Sequence, residues 1–293
     1  MGLAVCAGCQ PTEMMRLEGL SSDTDLPDEL REAKDRLALS KPVEAGKILQ
    51  TWIKANPDSP VTDQALYLKG QALFDQKRYH AAAEAYEKLA DEHGSSNRFS
   101  DALQRQVEIA RMFLSGTRRK VGPISFSGTS DAMEILDRVA LHWPGSELAV
   151  EALILQAGYF YSKGDFLEAQ QTYQMVVENY QSSRYYEQAL LGYAEATYFQ
   201  YDGPRYDSQS LQEAEVRYRQ FRAEFPESIH DDEIVDRLRR LRDLQAEKEF
   251  EIASFYHRTG KHPAAQYYWQ TITETWPTSD WARQSEAMLQ KFQ

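Results

Sequence analysis

Two cysteines and six histidines are the residues of this 293-residue chain best suited to redox, nucleophilic or metal chemistry. Cys6 and Cys9 stand at Cys-x-x-Cys spacing, which in a folded redox site brings two thiols together. Here the pair lies in an N-terminal tail outside any βαβ unit, followed by polar, turn-rich residues to about Leu26. The remaining chain has no cysteine, so neither a disulfide-stapled core nor a Cys-ligated zinc is expected. The histidines at 80, 93, 142, 230, 257 and 262 include no His-Glu-x-x-His pair, the spacing that puts two imidazoles on one helix face. There is no Gly-x-x-x-x-Gly-Lys-[Ser/Thr] phosphate loop, no Gly-x-Gly-x-x-Gly and no Gly-x-Ser-x-Gly, so the backbone cradles and nucleophile elbow of the common enzyme motifs are missing. The expectation is no catalytic residue, no metal, no cofactor and no small-molecule substrate.

Charge narrows the partners further. A net charge of −12 and a pI near 5.1 oppose a nucleic-acid binder, which needs a basic stripe to follow phosphates. They also oppose attachment to anionic lipid through basic residues. No stretch approaches the ~18 apolar residues that suggest a membrane-spanning helix.

The elements that must position any site come from an internal repeat. Alanines at 45, 82, 132, 169, 214 and 265 are each followed by a large residue at i+4 and an apolar one at i+7. Those spacings share one helical face, and the small alanine lets a neighbouring helix cross closely. Each copy ends in a stop such as Asn56-Pro57-Asp58-Ser59 or Trp276-Pro277-Thr278-Ser279. Proline ends one helix and the serine is placed to cap the next. A second amphipathic helix precedes each copy, joined by a short turn such as Gly164-Asp165. This predicts an all-α fold: a tetratricopeptide-type α-solenoid of about six helix pairs plus a C-terminal capping helix. The expected organisation is a tail and linker over 1–26 and the solenoid over 27–293.

Departures from the period mark individuality. Residues 115–129 form an insertion with three glycines and a proline, expected as a loop carrying a basic triplet, Arg118-Arg119-Lys120, and two exposed apolar residues, Ile124 and Phe126. A tolerated surface insertion and a partner-docking loop both stay open. A second loop is expected over 201–207. Residues from about 230 to 259 contain no Gly or Pro and predict one long helix. Its Arg237, Arg239, Arg240 and Arg242 form a candidate docking patch for an acidic partner. Opposite charges four residues apart, Glu233 with Arg237, Asp236 with Arg240 and Arg239 with Asp243, offer the competing reading of a self-paired face.

At the N-terminus, Ala7-Gly8-Cys9 is similar to the end of a bacterial lipoprotein signal. The apolar stretch before it is short and no basic segment precedes it, so the expectation is a late-placed start or a trimmed chain. Cys9 is then the lipid-attachment residue, and the membrane is reached by a lipid anchor only. A redox pair and an inert tail are the alternatives.

From about Tyr185 to Ser279 the chain resembles the BamD/YfiO-type lipoproteins of outer-membrane assembly. The residues that carry this are Phe221, Phe225-Pro226-Glu227-Ser228 and the segment from Leu241-Arg242-Asp243 through Ala253 and Phe255-Tyr256 to Gly260. Where that family often has Asn-Arg after an alanine pair, this chain has Gln266-Tyr267. The family usually has five repeats. The resemblance implies a non-enzymatic scaffold on the periplasmic face of the cell outer membrane, binding the periplasmic domains of a BamA-like barrel assembly protein and unfolded outer-membrane proteins.

The repeat register also predicts a groove. In a tetratricopeptide stack the first helix of each pair lines the concave face, which places Tyr67, Gln71, Phe74, Gln104, Glu108, Arg111, Tyr161, Glu195 and Tyr198 there. Aromatic faces with a few polar groups suit an extended peptide, with Arg111 positioned for a carboxylate. Packing of the same aromatics between units is the other reading. A periplasmic adaptor of cell-wall machinery, of the CpoB/YbgF type, is the alternative function, although no sustained heptads precede the repeats. A carboxylate-clamp co-chaperone needs Lys and Asn at inner positions that here read Leu30, Tyr67 and Gln104, then Lys34, Gln71 and Glu108, and is excluded.

Overall fold

The structure, a computed structural model, describes residues 26–121, 124–204 and 206–292. The described helices, in chain order, are α1 (Asp28–Ala38), α2 (Pro42–Ala55), α3 (Thr62–Asp75), α4 (Tyr79–Glu92), α5 (Phe99–Leu114), α6 (Thr129–His142), α7 (Glu147–Lys163), α8 (Phe166–Asn179), α9 (Tyr186–Tyr198), α10 (Gln209–Glu224), α11 (Asp231–Arg258), α12 (His262–Thr275) and α13 (Asp280–Leu289). They make six successive helix–turn–helix pairs followed by α13, as the repeat requires. The six repeat alanines are all fully buried, and so are Leu49, Tyr86, Leu136, Tyr218 and Trp269 four residues on.

The described residues divide into two compact units on either side of a boundary inside α4, between residues 85 and 86. In the first unit Leu30, Ala33, Leu49 and Leu66 are buried. The side-chain amide of Gln76 donates to the Pro42 carbonyl at 2.9 Å, tying the end of α3 to the start of α2. In the second unit Gln200 follows α9 and reaches back to the start of α8 in the same way, donating to Gln170 Oε1 at 2.6 Å. The second unit holds one apolar cluster built from α7 to the first half of α11. A smaller one is formed by the second half of α11 with α12 and α13. The long helix therefore belongs to two cores: Leu241 packs in one and Ala246 in the other. Its 28 residues span about 42 Å at ~1.5 Å per residue.

Turn chemistry differs from expectation in two places. Of the six stop serines, Ser146 and Ser279 cap the helix that follows, accepting from the amides of Ala149 and Ala282 at 3.1 and 3.0 Å. Ser59, Ser96, Ser183 and Ser228 instead accept from the amide two residues on, and the next helix starts three residues after each serine. The sequence Pro-Gly-Ser or Pro-Thr-Ser leads to a true cap, whereas the other stops insert one extra turn. The insertion at 115–129 is also not a plain loop. Arg118–Val121 (β1) pairs antiparallel with Ile124–Ser127 (β2), with Arg118 opposite Ser127. The side chains of Arg119, Lys120, Ile124 and Phe126 lie outside the described residues, as does the tail with Cys6 and Cys9.

Candidate protein-interaction surface

The predicted groove residues fall on first helices, as the register demands. In the first unit Tyr67, Gln71 and Phe74 follow one another at i, i+4 and i+7 on α3 and are half-buried. Phe74 meets Tyr79 edge-on, with ring centroids 5.3 Å apart.

In the second unit Gln104, Glu108 and Arg111 repeat that spacing on α5 and are exposed. Glu108 accepts from Arg105 at 2.7 Å. Arg111 does not stand free for a ligand. It pairs with Glu151 of α7, a nearly buried carboxylate that also accepts from Tyr185 at 2.8 Å and lies 3.5 Å from Arg184.

The next helices repeat this design more deeply. Glu195 on α9 accepts from Tyr218 of α10 at 2.7 Å, from Arg237 Nε of α11 at 3.1 Å and from Tyr161 of α7 at 3.3 Å. Burial, and then the Glu195 charge, push the Tyr161 hydroxyl up to about 12, and the same causes raise Tyr218 further. The Arg237 guanidinium also lies over the rings of Tyr198 and Phe199, 5.4 Å from each centroid, where the aromatic faces attract a cation. Tyr161 packs edge-on against Phe166 and Phe199. Four helices thus meet at one carboxylate. Tyr161, Glu195 and Tyr198 are brought together by it, and Arg237 is drawn into the same network.

Arg237 is therefore separated from the other arginines of its helix. It sits three residues after Ile234 and four before Leu241, both buried, so it lies on the apolar stripe. That spacing is visible in the sequence and is the signal that predicts its inward course. Arg239, Arg240 and Arg242 are exposed. Arg239 pairs with Asp236 at 2.7 Å rather than with Asp243, and Arg237 lies 3.8 Å from Glu233 as expected.

Arg239 and Arg242 open on a cleft of about 1080 Å³ that α10, α11 and the turn before α13 enclose. Arg219 and Arg222 of α10 line its other side, and Trp276 and Trp281 flank it. Sequence reading assigned Trp276 only to a helix stop and gave no role to Arg219 and Arg222. Their spacing on α10 places both on one face, but the facing wall is known only once α10 and α11 pack.

A further ionisable cluster joins α4, α5 and α6. Glu87 accepts from Gln106 at 2.7 Å, Arg138 at 3.0 Å and His142 at 2.9 Å. Burial opposes its ionisation, but these hydrogen bonds outweigh burial and hold the carboxyl below its ordinary range. Glu87, Asp91 and His142 place ligand atoms within 4.8 Å of one another. The Arg138 guanidinium on Glu87 opposes a cation there, so the cluster acts as an ion-paired tie.

No described helix is long and apolar enough to cross a membrane. Among known proteins, a tetratricopeptide repeat model matches residues 30–105. The outer membrane protein assembly factor BamD of Neisseria meningitidis serogroup B is 26% identical over 152 residues, which is 52% of this chain and 50% of that protein. The BamD of Neisseria gonorrhoeae is 24% identical over 157 residues, 54% of this chain and 52% of that protein. The chain spans about half the length of the curated relatives it matches. Among solved structures, a tetratricopeptide repeat protein from Parabacteroides merdae is 13% identical with a TM-score of 0.38, over 89% of this chain and 96% of that one. The model described as outer membrane lipoprotein, YfiO, matches residues 127–293, more than half of the chain and all of the helices that build the Glu195 network and the arginine cleft. This chain belongs to the YfiO family of outer membrane lipoproteins.

Proposed function

We propose that this protein is a non-enzymatic scaffold of the outer-membrane β-barrel assembly machinery. The observation that carries this reading is the family match over 127–293, with relatives named as outer membrane assembly factors. In this reading Cys9 carries the lipid, and the solenoid stands on the periplasmic face of the outer membrane. Stable anchoring takes more than one acyl chain, which a mature lipoprotein supplies, so no helix need enter the bilayer. The C-terminal half, 185–292, docks the periplasmic domains of a BamA-like barrel assembly protein. The first helices of the repeat pairs receive extended segments of unfolded outer-membrane proteins, with Gln104 and Glu108, exposed on α5, as contact residues of the second unit.

The experiment is site-directed photo-crosslinking in intact envelopes. A crosslinking residue at Tyr267, 68% exposed on α12, should capture the barrel assembly protein. The same residue at Leu141 on α6, 78% exposed, should not. Mass spectrometry of the native protein should find acylated Cys9. Capture from Leu141 alone, or an unmodified Cys9, contradicts the reading.

A further inference from the structure

Four guanidiniums and two indoles converge on one cleft in a chain whose net charge is −12. Arg219 and Arg222 enter from α10, Arg239 and Arg242 from α11, Trp276 from the turn after α12, and Trp281 from the first turn of α13. Each arginine already has a carboxylate of its own chain nearby: Arg219 with Glu215 at 2.6 Å, Arg222 with Asp231 at 2.5 Å, Arg239 with Asp236 at 2.7 Å. Arg242 stands 4.0 Å from Glu215, beyond hydrogen-bond reach, and shares that carboxylate with Arg219. The arginine side chains keep from 42% to 69% of their surface open to water. Ion pairs this exposed hold weakly, so an incoming carboxylate can replace an internal one at little cost. A guanidinium has five donors, and one internal carboxylate leaves several of them available.

We propose that this cleft binds an acidic, extended segment of a partner protein, with carboxylates on the Arg239–Arg242 side and an aromatic or proline side chain against Trp276 and Trp281. The fork geometry of arginine favours bidentate carboxylates, and indole faces favour flat or apolar groups. A lipid surface fits less well. The cleft is concave, and Asp243 and Asp280 stand in its wall among the arginines. Dense phosphates would meet those carboxylates, whereas a peptide can place its few charges between them. The proposal rests on the reading that the C-terminal half docks a partner, and it names the chemistry of that partner's segment.

The test uses the full chain and a fluorescein-labelled peptide of alternating glutamate and phenylalanine, with the glutamine counterpart as control. Fluorescence anisotropy should show salt-dependent binding of the acidic peptide only. Replacing Arg239 and Arg242 by glutamine should weaken it about tenfold, equal to about 1.4 kcal/mol, while Arg240→Gln, outside the cleft, leaves it unchanged. Helical circular dichroism checks that the double variant folds. If it does not, Arg242→Lys, which keeps the charge and loses the fork, should still weaken binding severalfold. Equal affinity in the double variant, equal loss in Arg240→Gln, or equal binding of the glutamine peptide overturns the proposal. Stronger binding to phosphatidylglycerol vesicles than to the peptide overturns it too. No binding of the acidic peptide by the wild type, with the barrel assembly protein still captured, defeats the cleft assignment alone. Peptide binding that depends on Arg239 and Arg242, with no barrel assembly protein captured by the wild type, defeats the functional reading alone.

Discussion

Replacing Glu195 by alanine distinguishes a structural tie from a ligand-facing group. The change removes the acceptor of Tyr218 at 2.7 Å, Arg237 at 3.1 Å and Tyr161 at 3.3 Å. Removing one partner of a buried ion pair costs about 3–5 kcal/mol, because the other charge stays behind. Arg237 keeps 20% of its side chain exposed and has Glu233 at 3.8 Å. The expected cost is therefore at the low end, about 3 kcal/mol. Stability in a solenoid is close to a sum of unit and neighbour terms, so the loss falls on α7, α9, α10 and α11. Hydrogen–deuterium exchange read by mass spectrometry should quicken there by roughly a hundredfold, at about tenfold per 1.4 kcal/mol. Amides of α1 and α2 should exchange as before, and Glu195→Gln, which keeps an acceptor, should recover part of the protection. Unchanged exchange in α9 to α11 of the alanine variant, together with lost binding of a barrel-protein peptide, would refute this reasoning.

Three other outcomes follow from single contacts. A Cβ at Gly192 would lie 2.5 Å from the ring of Tyr173, so Gly192→Ala should destabilise by about 1–3 kcal/mol through overpacking, despite alanine's gain of about 1 kcal/mol in helix propensity; a raised denaturation midpoint would contradict this. Ser279→Ala should cost about 1 kcal/mol by loss of a cap, and Ser59→Ala less, since the Ser59 contact is 3.5 Å long and precedes the helix; equal effects in urea melts would count against the two turn types. The Glu87 carboxyl is held below its ordinary value, so its contribution is present above the unfolded pKa, near 4.3, and is lost as pH falls through the lower folded value. The stability gap between the wild type and Glu87→Gln should narrow with acid, and a gap constant from pH 6 to pH 3 would exclude the tie.

The repeat was legible because one face of each second helix has a strict composition. Alanine fits where helices cross, a large residue fills the next turn, and all six alanines are fully buried. That pattern needs only local spacing, so six pairs and a cap could be read from it; the long helix runs over Asp231–Arg258, inside a stretch that has neither Gly nor Pro. The placement of Tyr67, Gln71 and Phe74 on one face of α3 and of Gln104, Glu108 and Arg111 on one face of α5 was legible, since each set needs only a helical period. What the side chains touch was not. Glu195 and Arg237 are 42 residues apart, and their meeting depends on how three successive helices stack. Arg111 and Glu151, 40 apart, obey the same limit. The hairpin at 118–127 escaped because glycine and proline signal the turn, while its two strands are only four residues each, too short to show alternation.

The central claim, a scaffold in outer-membrane barrel assembly, is tested most directly by affinity purification of the full-length protein from detergent-solubilised envelopes, with quantitative mass spectrometry of what accompanies it. The account predicts a BamA-like barrel assembly protein as the principal partner, lost when Arg239 and Arg242 are reversed to glutamate and retained in the Arg240→Gln control. Recovery of cell-wall synthesis proteins in its place, with no barrel assembly protein above background, would contradict it.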